Sequence, residues 1–263
     1  MNTVQEIYQV LQKKAPFQYQ LGFDNAGILV GRSSAPVDRI LIALDITKAV
    51  AEEAVEKGAQ LIVSHHPVIW DGVKQLTDVT PGGDLLLYLA EHGIAAICAH
   101  TNLDAVCGGV NDALANALGL TDVKQLCQDG VDEQGNPYGI GRVGIVPTQS
   151  VEEFAALVKE HLNAACVRLV DGGKPVHRVA VGGGSCGSML GDVLAAGCDT
   201  FVTSDVKYDV FLAAKAQGLN LLDAGHYPTE NVVCPVLETW LKEAFPTLQV
   251  SISQRHHEVY HCV

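Results

Sequence analysis

The feature that most constrains this chain is a short apolar run, Leu61, Ile62 and Val63, that ends in Ser64, His65, His66 and Pro67. Three consecutive branched apolar residues between Gly58 and Pro67 lack the period of an amphipathic helix and the alternation of a half-exposed strand. They fit a strand covered on both faces, at the centre of a parallel sheet. The histidines then stand at its carboxyl end, the edge of an open α/β sheet where loops depart and ligands bind. Pro67 fixes its own φ and disfavours helix at His66, so the doublet holds a defined extended shape. Adjacent side chains on a strand point to opposite faces, so both imidazoles reach one site only beyond the end of the strand.

A histidine at the end of an apolar run is ordinarily a hydrogen-bonded core or rim residue. Repetition changes that reading. Ile94 to Ala99 leads into His100, Thr101, Asn102, Leu103 and Asp104, and Leu219 to Gly225 leads into His226, Tyr227, Pro228, Thr229 and Glu230. His100 and Asp104 are four apart, as are His226 and Glu230, a spacing that on a helix projects both side chains toward one point. Imidazole together with carboxylate suits zinc, manganese, iron, cobalt or nickel rather than calcium or magnesium, which prefer oxygen shells. A catalytic zinc takes about three protein ligands. His65, His66, Asp104, His226 and Glu230 exceed that need, so two divalent ions with a bridging carboxylate are the economical reading. Such a pair supplies a hydroxide nucleophile at neutral pH and polarises a carbonyl, ring or phosphoryl group.

The remaining sequence organises around these strand ends. Val4 to Lys14 has one apolar helix face, Thr47 caps a helix over Lys48 to Lys57, and Gly83 to Glu91 is the next helix, giving a right-handed β, α, β path. Asp24 and Asn25 stand in a turn before a short strand, where Asp24 could cap the turn or face the site, the turn being the favoured reading. The polar stretch Thr121 to Tyr138, with Gly130, Gly135 and Pro137, marks the boundary between a first lobe, 1–125, and a second, 126–263. In the second, Ser150 caps a helix and Val176 to Val181 opens another β, α, β unit. Gly58 to Ser64 can be laid over Gly197 to Thr203, and Gly93 before the Ile94 run over Gly218 before the Leu219 run, so the lobes read as related. The glycine-rich Gly182 to Gly187 reads as a structural turn, since the Lys-Ser/Thr of a phosphate-binding loop is missing.

A formal charge of −13 on 263 residues speaks against nucleic acid or an anionic membrane as the main partner. Neither a membrane span nor a signal peptide is legible, and the expected location is cytoplasmic. Eight scattered cysteines without a Cys-x-x-Cys pair read mostly as buried, reduced small hydrophobes, with Cys107 the one close enough to Asp104 to test for metal contact. His256, His257 and His261 read as surface residues.

Taken in order, His65-His66-Pro67, His100-Thr101-Asn102-Leu103-Asp104 and Gly225-His226-Tyr227-x-Thr229-Glu230 resemble the motifs of the YbgI-type, Nif-three-like proteins, the homologues of GTP cyclohydrolase I type 2. The likeness runs along nearly the whole chain and extends to Asp24, Asn25 and Gly27, Leu44 to Thr47, Gly108 to Asp112, Gly141 to Gly144, and Asp205, Lys207 and Tyr208. It implies two interlinked α/β lobes with mainly parallel central strands, His65, His66, Asp104, His226 and Glu230 as metal ligands with Asp104 bridging, and a toroidal homohexamer. It also implies a metal-dependent hydrolase acting on a small molecule such as a nucleotide or pterin-like ring; the competing class is a non-catalytic metal-binding or interaction hexamer. Phe23 stands where the family pattern has tryptophan, Asp209 where it has histidine, and the inserted domain of longer members is absent.

Overall fold

A computed structural model describes residues 2–132 and 135–263. Met1 and two residues of the Thr121 to Tyr138 boundary segment, 133 and 134, lie outside the described residues. The chain forms two compact units, each assembled from two segments: residues 1–103 with 234–257, and residues 104–233 with 258–263. The crossing points therefore differ from a single cut at 125/126. The first falls inside the short helix Thr101–Ala105, and the chain crosses back at Val233/Cys234. A third crossing, at His257/Glu258, gives the last residues to the second unit.

The first unit is a five-stranded sheet in the order Gln249–Ile252, Arg39–Ala43, Leu61–Ser64, Ala95–Cys98, Gly27–Val30. The first four strands are parallel and Gly27–Val30 is antiparallel to its neighbour. Leu61, Ile62 and Val63 are fully buried, as an all-apolar run requires, and each such side chain contributes about 1.5–3 kcal/mol by leaving water. Thr47 caps Lys48–Lys57 by accepting from the Val50 amide, and Gly58 ends that helix in the left-handed region at φ 64°, where a Cβ is disfavoured. Helix Pro81–Glu91 is capped by Thr80 and starts two residues before the Gly83 that the sequence suggests. The returning segment supplies helix Cys234–Ala244 and the edge strand Gln249–Ile252.

The second unit is a six-stranded mixed sheet in the order Arg168–Val170, Asn220–Asp223, Thr200–Thr203, Val176–Val181, Arg142–Gln149, Thr121–Gln125. Its three central parallel strands, beginning at Val176, Thr200 and Asn220, repeat the first unit's pattern. Ser150 and Glu153 form the expected capping box on Val151–His161. Arg142 is buried, grips Asp112 through two bonds of 3.0 and 2.9 Å, and donates to the carbonyls of Val106, Gly139 and Gly141. That anchors the loops that follow Asp104.

Two expectations are overturned. Cys166 and Cys262 form a disulfide, tying the last residues to the second unit across 96 positions; scattered spacing concealed a pair that only folding brings together. His256 is buried, its Nε2 accepting from the Leu44 amide at 3.0 Å. Burial pushes its pKa down to about 4, so it is a neutral core acceptor. His257 and His261 are exposed as expected. No helix among the described residues is long and apolar enough to cross a membrane.

Candidate metal centre

In the first unit the strand ends at Ser64 and Cys98 bring His65, His66 and His100 together, with one ring nitrogen of each within 4.8 Å of the others. His65 is fully buried and His100 nearly so. Each ring is held from behind. His65 Nδ1 donates to the Ala99 carbonyl at 2.9 Å, His66 Nδ1 to Asp45 Oδ1 at 2.7 Å, and His100 Nδ1 to Asp24 Oδ1 at 2.8 Å. A hydrogen on Nδ1 makes Nε2 the nitrogen with the lone pair, the tautomer a metal ion requires, and an oxygen behind a histidine both orients the ring and raises its basicity.

Asp24 was expected to serve its turn. It does accept from the Asn25 amide, but it also accepts from the Thr101 amide and hydroxyl. Burial pushes its pKa up, yet the bonds from His100 and Thr101 outweigh that and hold it at about 2, so it stays ionised. Sequence reasoning held a site-facing Asp24 as the second choice, because a short acid beside Asn25 and Gly27 is what any turn contains.

The second unit contributes Asp104, His226 and Glu230. Asp104 and Glu230 are nearly buried, and an oxygen of one lies within 4.8 Å of an oxygen of the other. His226 and Glu230 lie on one short helix, His226–Glu230, with Nε2 to Oε2 at 3.0 Å, as their spacing predicts. His226 Nδ1 donates to Asp205 Oδ2 at 2.5 Å, which leaves Nε2 facing Glu230. Two electron-pair donors at that distance share a proton or a cation. Converging carboxylates with an oriented imidazole fit a divalent ion by the chemistry of the donor set.

The Gly182–Gly187 turn is structural, as expected, and it shapes this place. The amides of Gly183 and Gly184 donate to Asn111 Oδ1 and Thr229 Oγ1, so they serve the fold and not a phosphate. A Cβ on Gly184 would stand 2.0 Å from Glu230 Oε1, and its φ of 66° already disfavours a side chain. Beside it, burial first and then the charges of Asp104 and Glu230 push the Cys186 thiol far above its usual range. Cys107 is exposed and belongs to none of the ligand clusters among the described residues. All five sequence-assigned ligands thus stand at strand ends or on the short helices that follow. The structure adds His100 to the first cluster, a residue its apolar run had already marked.

Comparison with known proteins identifies the family. A family profile described as Duf34/NIF3 (NGG1p interacting factor 3) matches residues 2–258. A Streptococcus pneumoniae protein named GTP cyclohydrolase 1 type 2 homolog is 31% identical over 264 residues, covering 97% of this chain and 98% of that one. A Streptomyces coelicolor protein of the same name is 36% identical, covering 97% and 88%. A Bacillus cereus protein described as related to NIF3 has the same fold, with a TM-score of 0.94 at 24% identity over 100% of this chain and 99% of that one. The chain belongs to the Duf34/NIF3 family.

Proposed function

We propose that this protein is a metal-dependent hydrolase that takes two divalent ions, with His65, His66, Asp104, His226 and Glu230 as their ligands. The observation that carries the reading is that supported imidazoles cluster with one another and with a carboxylate, their ligand atoms within 4.8 Å. His65, His66 and His226 each have Nδ1 donating to a carbonyl or carboxylate oxygen, so each offers Nε2. His92, His161 and His177 also have Nδ1 donating to a carbonyl, and what sets His65, His66 and His226 apart is that each stands in a cluster of ligand atoms within 4.8 Å of one another. Bound divalent ions would supply an activated water and polarise the bond to be broken.

The chain's own groups divide the remaining work. Asp104 and Glu230 supply the buried negative charge that offsets divalent cations. His100 lies outside the assigned ligand set, with ionised Asp24 fixing its Nδ1, and Nε2 is the atom through which it passes a proton to or from a substrate. The curated names of the relatives favour a nucleotide or pterin-like substrate. We further propose a toroidal homohexamer working in the cytoplasm.

Metal analysis of protein purified without chelator should find two divalent ions per chain, reduced in His65→Ala and Glu230→Ala with an unchanged circular dichroism spectrum. His100→Asn should keep its metal and lose turnover on a nucleotide panel. Full occupancy in both ligand variants removes those residues from the site. A metal-loaded wild type without turnover on nucleotides, pterins and phosphoesters favours a non-catalytic metal-binding or interaction protein. Sedimentation should give several times the mass of one chain, and a clean monomer would count against the ring.

A further inference from the structure

One aromatic side chain of the first unit is exposed beside the histidine cluster: Trp70 at 52%. Large aromatic rings are normally well covered, and one left open at a polar site calls for a reason. Trp70 lies four residues beyond His66 in the loop that leaves the central strand. Its ring is 5.1 Å from that of His100 at 86°, and 6.3 Å from that of His66 at 41°. Indole and imidazole therefore form a right-angled corner rather than a stack, and half of the indole surface stays accessible.

The position is fixed from behind. Asn25 Nδ2 donates to the Ile69 carbonyl at 2.7 Å, tying the backbone next to Trp70 to the turn whose Asp24 orients His100. One turn thus sets both walls of the corner. The stacked pair Tyr8 and Phe17, by contrast, serves the core of the same unit, with Phe17 buried. Trp70 has its ring contacts with the two imidazoles.

We propose that Trp70 is the stacking platform for a planar heteroaromatic ring, of purine or pterin type, in the substrate handled at the metal centre. The proposal rests on the hydrolase reading above and gives its substrate a recognisable part. A ring laid parallel to the indole meets the His100 imidazole at the same right angle, which brings its polar edge to the histidine cluster. Base stacking on an aromatic side chain tolerates ring identity, so Trp70 selects for a flat ring and leaves finer choice to other groups. A second copy of the chain covering Trp70 is the competing outcome of the test, since Val73, Leu76 and Val79 on the same loop are exposed as well.

The chain has two tryptophans, so Trp240→Phe leaves Trp70 as the sole indole reporter. Metal-loaded Trp240→Phe protein is titrated with GTP, with a simple pterin and with inorganic tripolyphosphate while Trp70 emission is followed. GTP and the pterin should quench it saturably and tripolyphosphate should not. In the otherwise native chain, Trp70→Ala should weaken GTP binding about tenfold or more, Trp70→Phe should restore most of it, and tripolyphosphate affinity and metal content should stay unchanged. Absence of quenching by both ring compounds overturns the proposal, as does an equal loss for GTP and tripolyphosphate in Trp70→Ala. A change in assembled mass with unaltered GTP affinity also overturns it and assigns Trp70 to contact between copies. Wild-type protein that retains no metal defeats the hydrolase reading separately, whatever Trp70 does.

Discussion

The two units are built on one plan and use it differently. Counting from Gly58 and Gly197, both in the left-handed region, the central strands run in step, so Ser64 corresponds to Thr203 and His65 and His66 to Ser204 and Asp205. Strand pairing extends the match: Ile40 lies beside Leu61 as Val179 lies beside Thr200, which sets Asp45 against Gly184. In the first unit the first strand's end supplies the orienting acid, Asp45, and the second strand's end supplies the imidazole, His66. In the second unit the second strand's end supplies the acid, Asp205, the third leads to the imidazole, His226, and the first gives only clearance, through Gly184. A parallel sheet fixes where side chains emerge and leaves open which of them binds and which supports.

Removing the clearance should have the largest effect. Gly184→Ala is expected to strip metal from the ligands of the second unit, because the new Cβ would stand 2.0 Å from Glu230 Oε1 and gain room only by driving that carboxylate out of its place. Gly191→Ala, in the same unit with nothing within 4 Å, should leave metal content unchanged. Elemental analysis of the two variants decides it, and equal metal in both would mean that Gly184 is dispensable.

The exchanged roles come next. Asp45→Ala and Asp205→Ala should each weaken metal binding about 10- to 100-fold, the usual cost of losing the group behind a ligating histidine. Calorimetric titration of both variants tests the equivalence. A loss in one alone would show that the two units do not share the device.

The third contrast concerns closure of the first unit, which depends on a segment from far along the chain. Glu53 accepts from the Ser253 hydroxyl and the Gln254 and Arg255 amides, and pairs with Lys57. Burial pushes its pKa up, but the bonds from Lys57, Ser253 and those amides prevail and hold it at about 2, against 4.5 for the free group. A folded value below the unfolded one stabilises the protein fully above about pH 4.5 and progressively less as pH falls toward 2. Glu53→Gln should cost about 1–2 kcal/mol at neutral pH and flatten the acid limb of a urea-unfolding series.

The smallest effect belongs to His256, which has the same sign by another route. Its folded pKa of about 4 lies below its ordinary 6.5, so the stability it lends is complete above about pH 6.5 and lost as pH falls toward 4. His256→Gln should lower stability by about 1 kcal/mol at pH 7. An unaltered slope between pH 6.5 and 4 would show that His256 is not buried neutral.

What the sequence disclosed follows from the range of the interactions involved. Buried strands such as Leu61–Ser64, the Thr47 and Ser150 caps and the four-residue spacing of His226 and Glu230 are local, and each was legible with boundaries a residue or two off. Asp24 supporting His100 across 76 positions, Cys166 meeting Cys262 and His256 accepting from Leu44 are encounters of distant segments. Such encounters leave no period in the sequence. The single cut at 125/126 differs from the crossings for the same reason: the polar Thr121 to Tyr138 stretch carries the Thr121–Gln125 edge strand and the paired Gly130–Val131 and Pro137–Tyr138 inside the second unit, whereas the crossings at Leu103/Asp104 and Val233/Cys234 lie among buried residues.

That the residues from Cys234 to His257 complete the first unit bears on how the protein is made. A ribosome delivers the chain from its amino end, so the earliest part emerges with the Arg39–Ala43 strand still lacking its Gln249–Ile252 neighbour. Residues 104–233, synthesised later, contain every strand of the second sheet and can settle first. Maturation thus runs against the direction of translation, and a nascent chain stalled before residue 234 presents an open sheet edge to chaperones or to other nascent copies. Arrested chains should therefore be cut by protease within 1–103 while 104–233 is spared, and uniform protection of both would contradict this order of events.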